Sequence, residues 1–308
     1  MRVAIVGGCG FLGKNTSTLL RENGHQVLSI HRNPHLGARD SLDCLYLDFR
    51  ESDSMVNALN NVDVLIHFGH NATPQESDIE SEKYVSENLT PSLKLFDLAI
   101  SLSINKIIFA STGGAMYGKV NKLVKVNENH LPQPSSTYSN SKLFLENYLR
   151  YKTHNTSTKS ISLRIGNAYG PGQEGSNSFG VVPNFISNIE KGMPCRVFSM
   201  ESTRDFVYIE DVSTAVLEAL RYEGPHEVFN IGSGVGTSIE ALISSISKTV
   251  GRVATIERVP EPSNFILHNI LDSNLAAKEF GWSATVDVSQ GISLIIKDIN
   301  EKEKMQCL

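Results

Sequence analysis

A phenol and an ammonium stand four positions apart in Tyr138-Ser139-Asn140-Ser141-Lys142, so on a helix they share one face. Tyrosine ordinarily releases its proton near pH ~10, too high for easy exchange at neutrality, and an adjacent cation stabilises the phenolate. Tyr138 so placed can serve as a general acid or base. The spacing recurs ten positions later in Tyr148 and Lys152. At about 3.6 residues per turn the second pair is rotated roughly 80° from the first, and both cannot face one cleft. Pro132 and Pro134 mark a loop leading into the helix that Tyr138 opens, which favours the first pair.

A second pattern could hold a dinucleotide. Gly7-Gly8-Cys9-Gly10-Phe11-Leu12-Gly13 follows an apolar run, Val3–Val6, and opens an amphipathic segment. Glycines at positions 7, 10 and 13 permit a tight turn and close backbone approach, so that amides around Phe11 and Leu12 and the positive end of the helix dipole meet a pyrophosphate. In this arrangement a carboxylate after the second strand usually takes the ribose hydroxyls, but this chain reads Ile30-His31-Arg32-Asn33. Arg32 beside His31 suits a ribose 2′-phosphate, favouring NADP(H) while leaving NAD(H) possible; Arg32 stacked on adenine or turned to solvent is the alternative. Asp48 could accept from the adenine amino group, or cap a helix. His67-Phe68-Gly69-His70 lacks a third ligand at motif spacing and reads as backbone contact with the cofactor rather than a metal pair.

These residues need strands and helices to carry them. Strands are expected at Val3–Val6, Val27–Ile30, Cys44–Leu47, Val64–Phe68, Lys106–Ala110 and Ser160–Arg164, alternating with helices near Phe11–Asn23, Met55–Leu59, Tyr84–Ser101 and Ser139–Tyr151. Alternation of this kind predicts an α/β fold, a doubly wound parallel sheet of Rossmann type binding ligands beyond its carboxyl edge. After Gly166 the texture changes: Tyr169-Gly170-Pro171-Gly172 opens a Gly/Ser/Asn-rich stretch through Gly180 that reads as a loop, and a second region follows with helices at Val182–Lys191, Val212–Arg221, Ile239–Val250, Leu275–Phe280 and Ser289–Asn300. Short strands are expected near Arg196–Phe198, Phe206–Val207 and Val228–Ile231. The expected division is a dinucleotide-binding domain over residues 1–168, with 204–232 returning to it, and a smaller C-terminal substrate lobe from 169–203 and 233–308.

The chain resembles the extended short-chain dehydrogenases, specifically the NAD(P)-dependent nucleotide-sugar epimerase/dehydratase family, from Val3 to about Gly291. The resemblance rests on the glycine pattern, Asn88-Leu89-Thr90, Ser111 to Gly118, Tyr138 with Lys142, Leu163 to Pro171, Arg204 to Tyr208, Asp211-Val212 and Phe229 to Gly234. It implies a nucleotide-sugar substrate and a homodimer. It also implies that Lys142 contacts the nicotinamide ribose, that Asn88, which could equally be an ordinary helical asparagine, sits on the helix behind Lys142, and that Asn167 and Arg204 lie near the sugar diphosphate. A guanidinium is a permanently charged fork of donors suited to that task, although Arg204 could instead pair with Glu201 or Asp205.

Three positions depart from the family pattern. The hydroxyl residue expected four positions before Tyr117 is Gly113, so the catalytic hydrogen bond to the sugar oxygen passes to Thr112, with Ser111 beside it; both could instead cap the strand end. Glu261-Pro262-Ser263-Asn264 stands where relatives carry an arginine-rich clamp. Ala115 replaces the glutamate of the dehydratases, and alanine cannot exchange a proton.

Composition narrows the field further. The 308 residues, 40% hydrophobic and 20% charged, suit a globular protein, and a formal charge of −5 offers no basic surplus for nucleic acid or anionic lipid. No apolar run approaches the ~20 residues that span a bilayer. Cys9, Cys44, Cys195 and Cys307 lack metal-ligand spacing, so no metal is expected and the cytoplasm is the expected compartment. The leading expectation is NAD(P)-dependent reduction at C4 of a nucleoside-diphosphate 4-keto-6-deoxyhexose, Tyr138 giving the proton and Thr112 and Lys142 assisting. A UDP-hexose 4-epimerase is the second reading, and a redox sensor without turnover the third.

Overall fold

The computed structural model describes residues 1–31, 44–48, 52–70, 74–120, 123–173, 180–262 and 264–306. Its first half runs β1 (Arg2–Val6), α1 (Phe11–Glu22), β2 (Gln26–His31), β3 (Cys44–Tyr46), α2 (Ser52–Leu59), β4 (Val64–His67), α3 (Pro74–Ile79) and α4 (Ser81–Tyr84). A π-helical turn, Val85–Leu89, leads into α5 (Thr90–Ser101), then β5 (Lys106–Thr112), α6 (Thr137–Thr153) and β6 (Lys159–Ile165). The second half continues with β7 (Asn167–Tyr169), α7 (Val181–Lys191), β8 (Cys195–Val197), β9 (Thr203–Tyr208), α8 (Ile209–Arg221), β10 (Val228–Ile231), β11 (Gly236–Ser238), α9 (Ile239–Val250), β12 (Ile256–Arg258), β13 (His268–Asn269), α10 (Asn274–Phe280) and α11 (Val288–Gln306).

Seven parallel strands in the order β10-β6-β5-β4-β1-β2-β3 form the central sheet, as a doubly wound Rossmann fold requires. Its inner strands are apolar on both faces because helices cover both. Alternate residues feed separate cores: Val3, Ile5, Ile66 and Ile108 pack with Leu20 of α1 and Val212, Val216 and Leu220 of α8. On the opposite face Ala4, Val6, Leu65, Ile107 and Phe109 meet Phe96 of α5 and Leu145 and Leu149 of α6.

The second region has its own core around Tyr169, Phe185, Ile186, Phe206, Tyr208, Leu242 and Ile246. There β9 pairs with β7, β11 and β13, while β8 pairs with β12. Differences from the sequence expectation lie mostly in short elements. The short elements β7, α3, β11, β12 and β13 were not anticipated, since two to six residues carry too little periodicity to read. The helix expected from Tyr84 begins at Ser81 and contains the π turn.

Beneath the carboxyl edge lies a buried polar chain. The guanidinium of Arg164 on β6 donates through Nη2 to Glu146 Oε2 on α6 at 2.7 Å and through Nε to both carboxylate oxygens. Ser111 donates to the same carboxylate, and Arg164 Nη1 reaches the Tyr117 hydroxyl at 3.0 Å. Tyr117 in turn donates to Asn230 Oδ1 at 2.6 Å, and the Asn230 amide donates to Val126 O at 2.9 Å. Both ionic side chains are nearly inaccessible, at 6% and 3% exposure. Removing one partner strands a buried charge, so Arg164→Met should cost about 3–5 kcal/mol in urea unfolding. Adding Glu146→Leu should recover much of it, and a single variant that unfolds at the wild-type midpoint would contradict this account.

Candidate active site

The helix α6 starts from a reciprocal cap: Ser136 Oγ accepts from the Ser139 amide at 3.1 Å while Ser139 Oγ accepts from the Ser136 amide at 3.1 Å. The cap places Tyr138 in the first helical turn, where the positive end of the dipole favours negative charge. Its amide donates to Ser77 Oγ at 3.0 Å, and the neighbouring Thr137 amide donates to Asp78 Oδ1 at 2.7 Å. Tyr138 is half-buried, and the hydroxyl of Thr112 at the end of β5 lies near enough to its phenol to lower its pKa.

Lys142 follows one turn later, 2% exposed, with Nζ donating to Ala110 O at 2.6 Å and lying 3.2 Å from His70 Nδ1. The ammonium position is 4.7 Å from the Phe109 ring centroid and 5.5 Å from that of Tyr138. Burial pulls Lys142 down to about 7, opposed by the charge of Glu146, and pushes the Tyr138 phenol up to about 12, opposed by Thr112. The lowering of the phenol expected from its neighbouring cation is not seen: desolvation raises the phenol, and Thr112 rather than Lys142 opposes that. A phenol that keeps its proton at neutrality is in the form a proton donor needs.

Thr112 and Ser111 separate clearly. Ser111 is engaged with Glu146, leaving Thr112 as the hydroxyl beside the phenol. Gly113 has a physical reason: a Cβ there would stand 2.5 Å from Leu271 Cδ1 and 2.8 Å from Arg164 O. The backbone passes too close to β6 for the hydroxyl residue of the family pattern. Tyr148 is engaged elsewhere, its hydroxyl 2.8 Å from both Asp97 carboxylate oxygens, with Lys152 2.9 Å from the same carboxylate.

The glycine loop meets the steric demands of a dinucleotide. Gly7 has φ +85°, and a Cβ on it would stand 2.8 Å from Gly69 N; one on Gly13 would strike Gly7 O. Gly10 is the N-cap of α1 and offers no side-chain acceptor, and Lys14 is the first residue to bond back to it. The amides of Phe11, Leu12 and Gly13 thus have no intrahelical acceptor and can receive phosphate oxygens. His31 ends β2, 7% exposed, and neither ring nitrogen has a hydrogen-bond partner. Leu47 bonds to His31 O, which brings the half-buried Asp48 just beyond this strand end. Arg32 lies outside the described residues.

A third group lies on β7 and β9. Asn167 on β7 pairs with Phe206 of β9, two residues from Arg204, and its buried Nδ2 has no hydrogen-bond partner. Arg204 Nη1 donates to Thr203 O at 3.0 Å and Leu267 O at 3.2 Å, and the guanidinium lies 5.5 Å from the Phe265 ring centroid. These main-chain oxygens take the place of the Glu201 or Asp205 pairing considered from sequence, and Asp205 turns to Ser233 instead. Burial pulls Arg204 down to about 10, still cationic at neutrality.

Sequence reasoning missed the roles of His70 and Asn269. His70 lies against Lys142 and edge-on to Tyr138, with ring centroids 6.1 Å apart. Asn269, 1% exposed and paired with Arg204 across β13 and β9, donates to Gly113 O at 3.0 Å while its Oδ1 has no hydrogen-bond partner. His70 had a signal in its place just past β4; Asn269 sits in a two-residue strand without a motif. Asn88, buried in the π turn, donates to Tyr84 O at 3.2 Å, and such turns often mark functional sites.

The profile of the family described as "NAD dependent epimerase/dehydratase family" matches residues 3–232. The chain belongs to this family. It is 33% identical over 97% of its length, and 98% of the relative's, to dTDP-4-dehydro-6-deoxyglucose reductase of Escherichia coli. The structure superposes with TM-score 0.92 on UDP-glucose 4-epimerase from Thermotoga maritima with UDP-glucose, at 29% identity over 98% of this chain and all of that one. UDP-glucose 4-epimerase of Thermus thermophilus in complex with NAD gives TM-score 0.89 at 26% identity, covering 97% of this chain and 99% of that one. As a member of this family the protein is an enzyme, and among the described residues no helix is long and apolar enough to cross a membrane.

If the phenol of Tyr138 supplies the proton, Tyr138→Phe should lower turnover roughly 100- to 10,000-fold while leaving dinucleotide affinity nearly intact. Tyr148→Phe carries the same chemical change into the Asp97 contact and should leave turnover near wild type. Equal losses in the two variants by steady-state kinetics would remove Tyr138 from this role.

Proposed function

We propose that this enzyme reduces C4 of a nucleoside-diphosphate 4-keto-6-deoxyhexose with NADPH. The observation that carries the reading is identity of 33% along almost the whole of both chains to a reductase of such a keto-sugar. The protonated phenol of Tyr138 agrees with it, because reduction needs a donor at the developing alkoxide. A bound nicotinamide would supply the hydride. Tyr138 gives its proton to the sugar oxygen, Thr112 orients that oxygen, and Lys142, anchored on Ala110 O, holds the ribose side of the cofactor. Gly7, Gly10, Phe11, Leu12 and Gly13 hold the pyrophosphate, while His31, Arg32 and Asp48 surround the adenosine. Asn167 and Arg204 take the sugar diphosphate. Residues 1–168 with 204–232 act as the dinucleotide-binding domain, although β9 within that return packs into the core of the second region, and 169–203 with 233–308 act as the substrate lobe, in a cytoplasmic homodimer.

A 4-epimerase acting on a UDP-hexose is the second reading, favoured by the likeness to epimerases with UDP-glucose and with NAD. An epimerase returns the same hydride and profits from retaining NAD, whereas a reductase exchanges its cofactor every turnover. Purified protein should therefore contain little bound NAD, oxidise NADPH in proportion to 4-keto-sugar consumed, and lose its NADPH preference on Arg32→Ala. Stoichiometric bound NAD with interconversion of UDP-hexoses and no net use of cofactor would replace the reductase by the epimerase.

Arg204→Ala tests the anion-binding wall. Loss of a charged hydrogen bond in a partly desolvated cleft costs very roughly 1.5–3 kcal/mol, which would raise the Michaelis constant for the nucleotide sugar about 10- to 150-fold. Unaltered substrate binding in kinetics or calorimetry would reassign the guanidinium.

A further inference from the structure

Cys9 lies in the glycine loop after β1, His31 ends β2 and Cys44 begins β3, so nothing in their sequence spacing connects them. The parallel pairing of β1 with β2 and of β2 with β3 brings them together at one end of the sheet. Their ligand atoms lie within 4.8 Å of one another, and the two sulfurs are 2.8 Å apart. Cys9 is 4% exposed and His31 7% exposed. Both nitrogens of the buried imidazole lack a hydrogen-bond partner, an arrangement that protein interiors rarely leave uncompensated.

We propose that Cys9, Cys44 and His31 form a three-ligand site for a thiophilic divalent cation of the zinc type, with its fourth position open. Two sulfurs and one imidazole are a donor set that suits zinc in tetrahedral geometry. Metal–sulfur bonds of about 2.3 Å set tetrahedral sulfurs about 3.7 Å apart, so the thiols must separate by about 1 Å. Each thiol gives up its proton to solvent as its S–H bond is replaced by a metal–sulfur bond, and the neutral imidazole donates without losing one. A disulfide between Cys9 and Cys44 would use the sulfurs but leave His31 unsatisfied, which is why the cation is the better occupant.

The site adjoins the amides assigned above to the pyrophosphate and contains the histidine assigned above to the adenosine. Metal and dinucleotide therefore exclude one another, a consequence that rests on the proposed cofactor site, whereas metal uptake does not. Loss of cofactor binding on exposure to zinc would make the enzyme responsive to free thiophilic metal.

The test uses the reduced, chelator-treated full chain, with cobalt(II) as the optical probe and zinc in equilibrium dialysis. One zinc per chain and a near-ultraviolet thiolate-to-cobalt charge-transfer band are expected. Cys44→Ser should abolish the band and weaken zinc binding by more than the roughly 10- to 100-fold that loss of an outer-shell partner costs. Cys195→Ser, whose thiol is buried in the separate core of the second region, should change neither. No band, or zinc binding that survives Cys44→Ser unchanged, overturns the site. So does spontaneous loss of two titratable thiols, restored by reductant and absent in Cys44→Ser, in place of metal uptake. Added NADPH should erase the band. A band that persists while nicotinamide fluorescence reports bound NADPH overturns the exclusion, and failure of NADPH to bind at all strikes the cofactor reading while the metal result stands.

Discussion

The ion pair between Glu146 and Arg164 is the fixed point from which the rest of the candidate site is positioned. It ties α6 to β6, and through Ser111 to β5, at the level where the strands end. Glu146 lies one helical turn beyond Lys142 and two beyond Tyr138, so one face of α6 carries anchor, cation and phenol in line. The position of Lys142 against Ala110 O follows, because Ala110 precedes the serine that the anchor holds. A buried ion pair offers little stability over an apolar pair of the same volume. Its value here is registry. It fixes one helix against two strands, and its carboxylate opposes the desolvation that lowers Lys142.

A second buried acid arranges the opposite wall. Asp205 accepts from the Ser233 amide and hydroxyl, each at 2.7 Å, from the Gly234 amide at 3.1 Å and from the Leu271 amide at 3.0 Å. Burial raises its carboxyl and these donors pull it back. Adjacent residues of a strand point to opposite faces, so Asp205 spends its charge on the chain behind β9 while Arg204 faces away from it. The guanidinium is then left with main-chain oxygens and the Phe265 ring, contacts that orient it without neutralising it. Nearby, the Asn264 amide donates to Asp78 at 3.2 Å, and Asp78 also accepts from the first residue of α6. One carboxylate thus links the segment beside the arginine to the helix that carries the phenol.

Features encoded within a short window were legible in the sequence. The inner strands announce themselves because burial on both faces demands unbroken apolar runs, and Tyr138 with Lys142 because about four residues complete one helical turn. The glycine loop is legible because its steric need falls on closely spaced positions. Relations across the sheet were not. Arg164 and Asn230 looked like parts of family motifs, and only adjacency of β5, β6 and β10 joins them through Tyr117. Gly113 looked like a lost catalytic hydroxyl, whereas the close approach of Arg164 O and Leu271 supplies its reason. The cysteines looked unrelated because a sheet order of β1-β2-β3 cannot be read from separations in sequence. Arg32, on which the cofactor reading leans, falls outside the described residues, and its role rests on sequence.

Reduction and epimerisation make opposite demands on the charge of the dyad. Desolvation has driven the phenol and the lysine of the dyad toward their neutral forms, Tyr138 holding its proton and Lys142 tending to lose its own near neutrality. A reductase begins with an uncharged reduced nicotinamide and a phenol that must donate, so this neutral pair suits the start of that reaction. An epimerase begins with a cationic nicotinamide and a phenol that must accept, which requires the phenolate first. The protein alone does not supply that state; a cationic partner close to the phenol would have to. His70 Nδ1, 3.2 Å from the lysine nitrogen, is a second polar neighbour of Lys142. Burial thus leaves Tyr138 with its proton and Lys142 near its neutral form, the arrangement from which donation by the phenol starts.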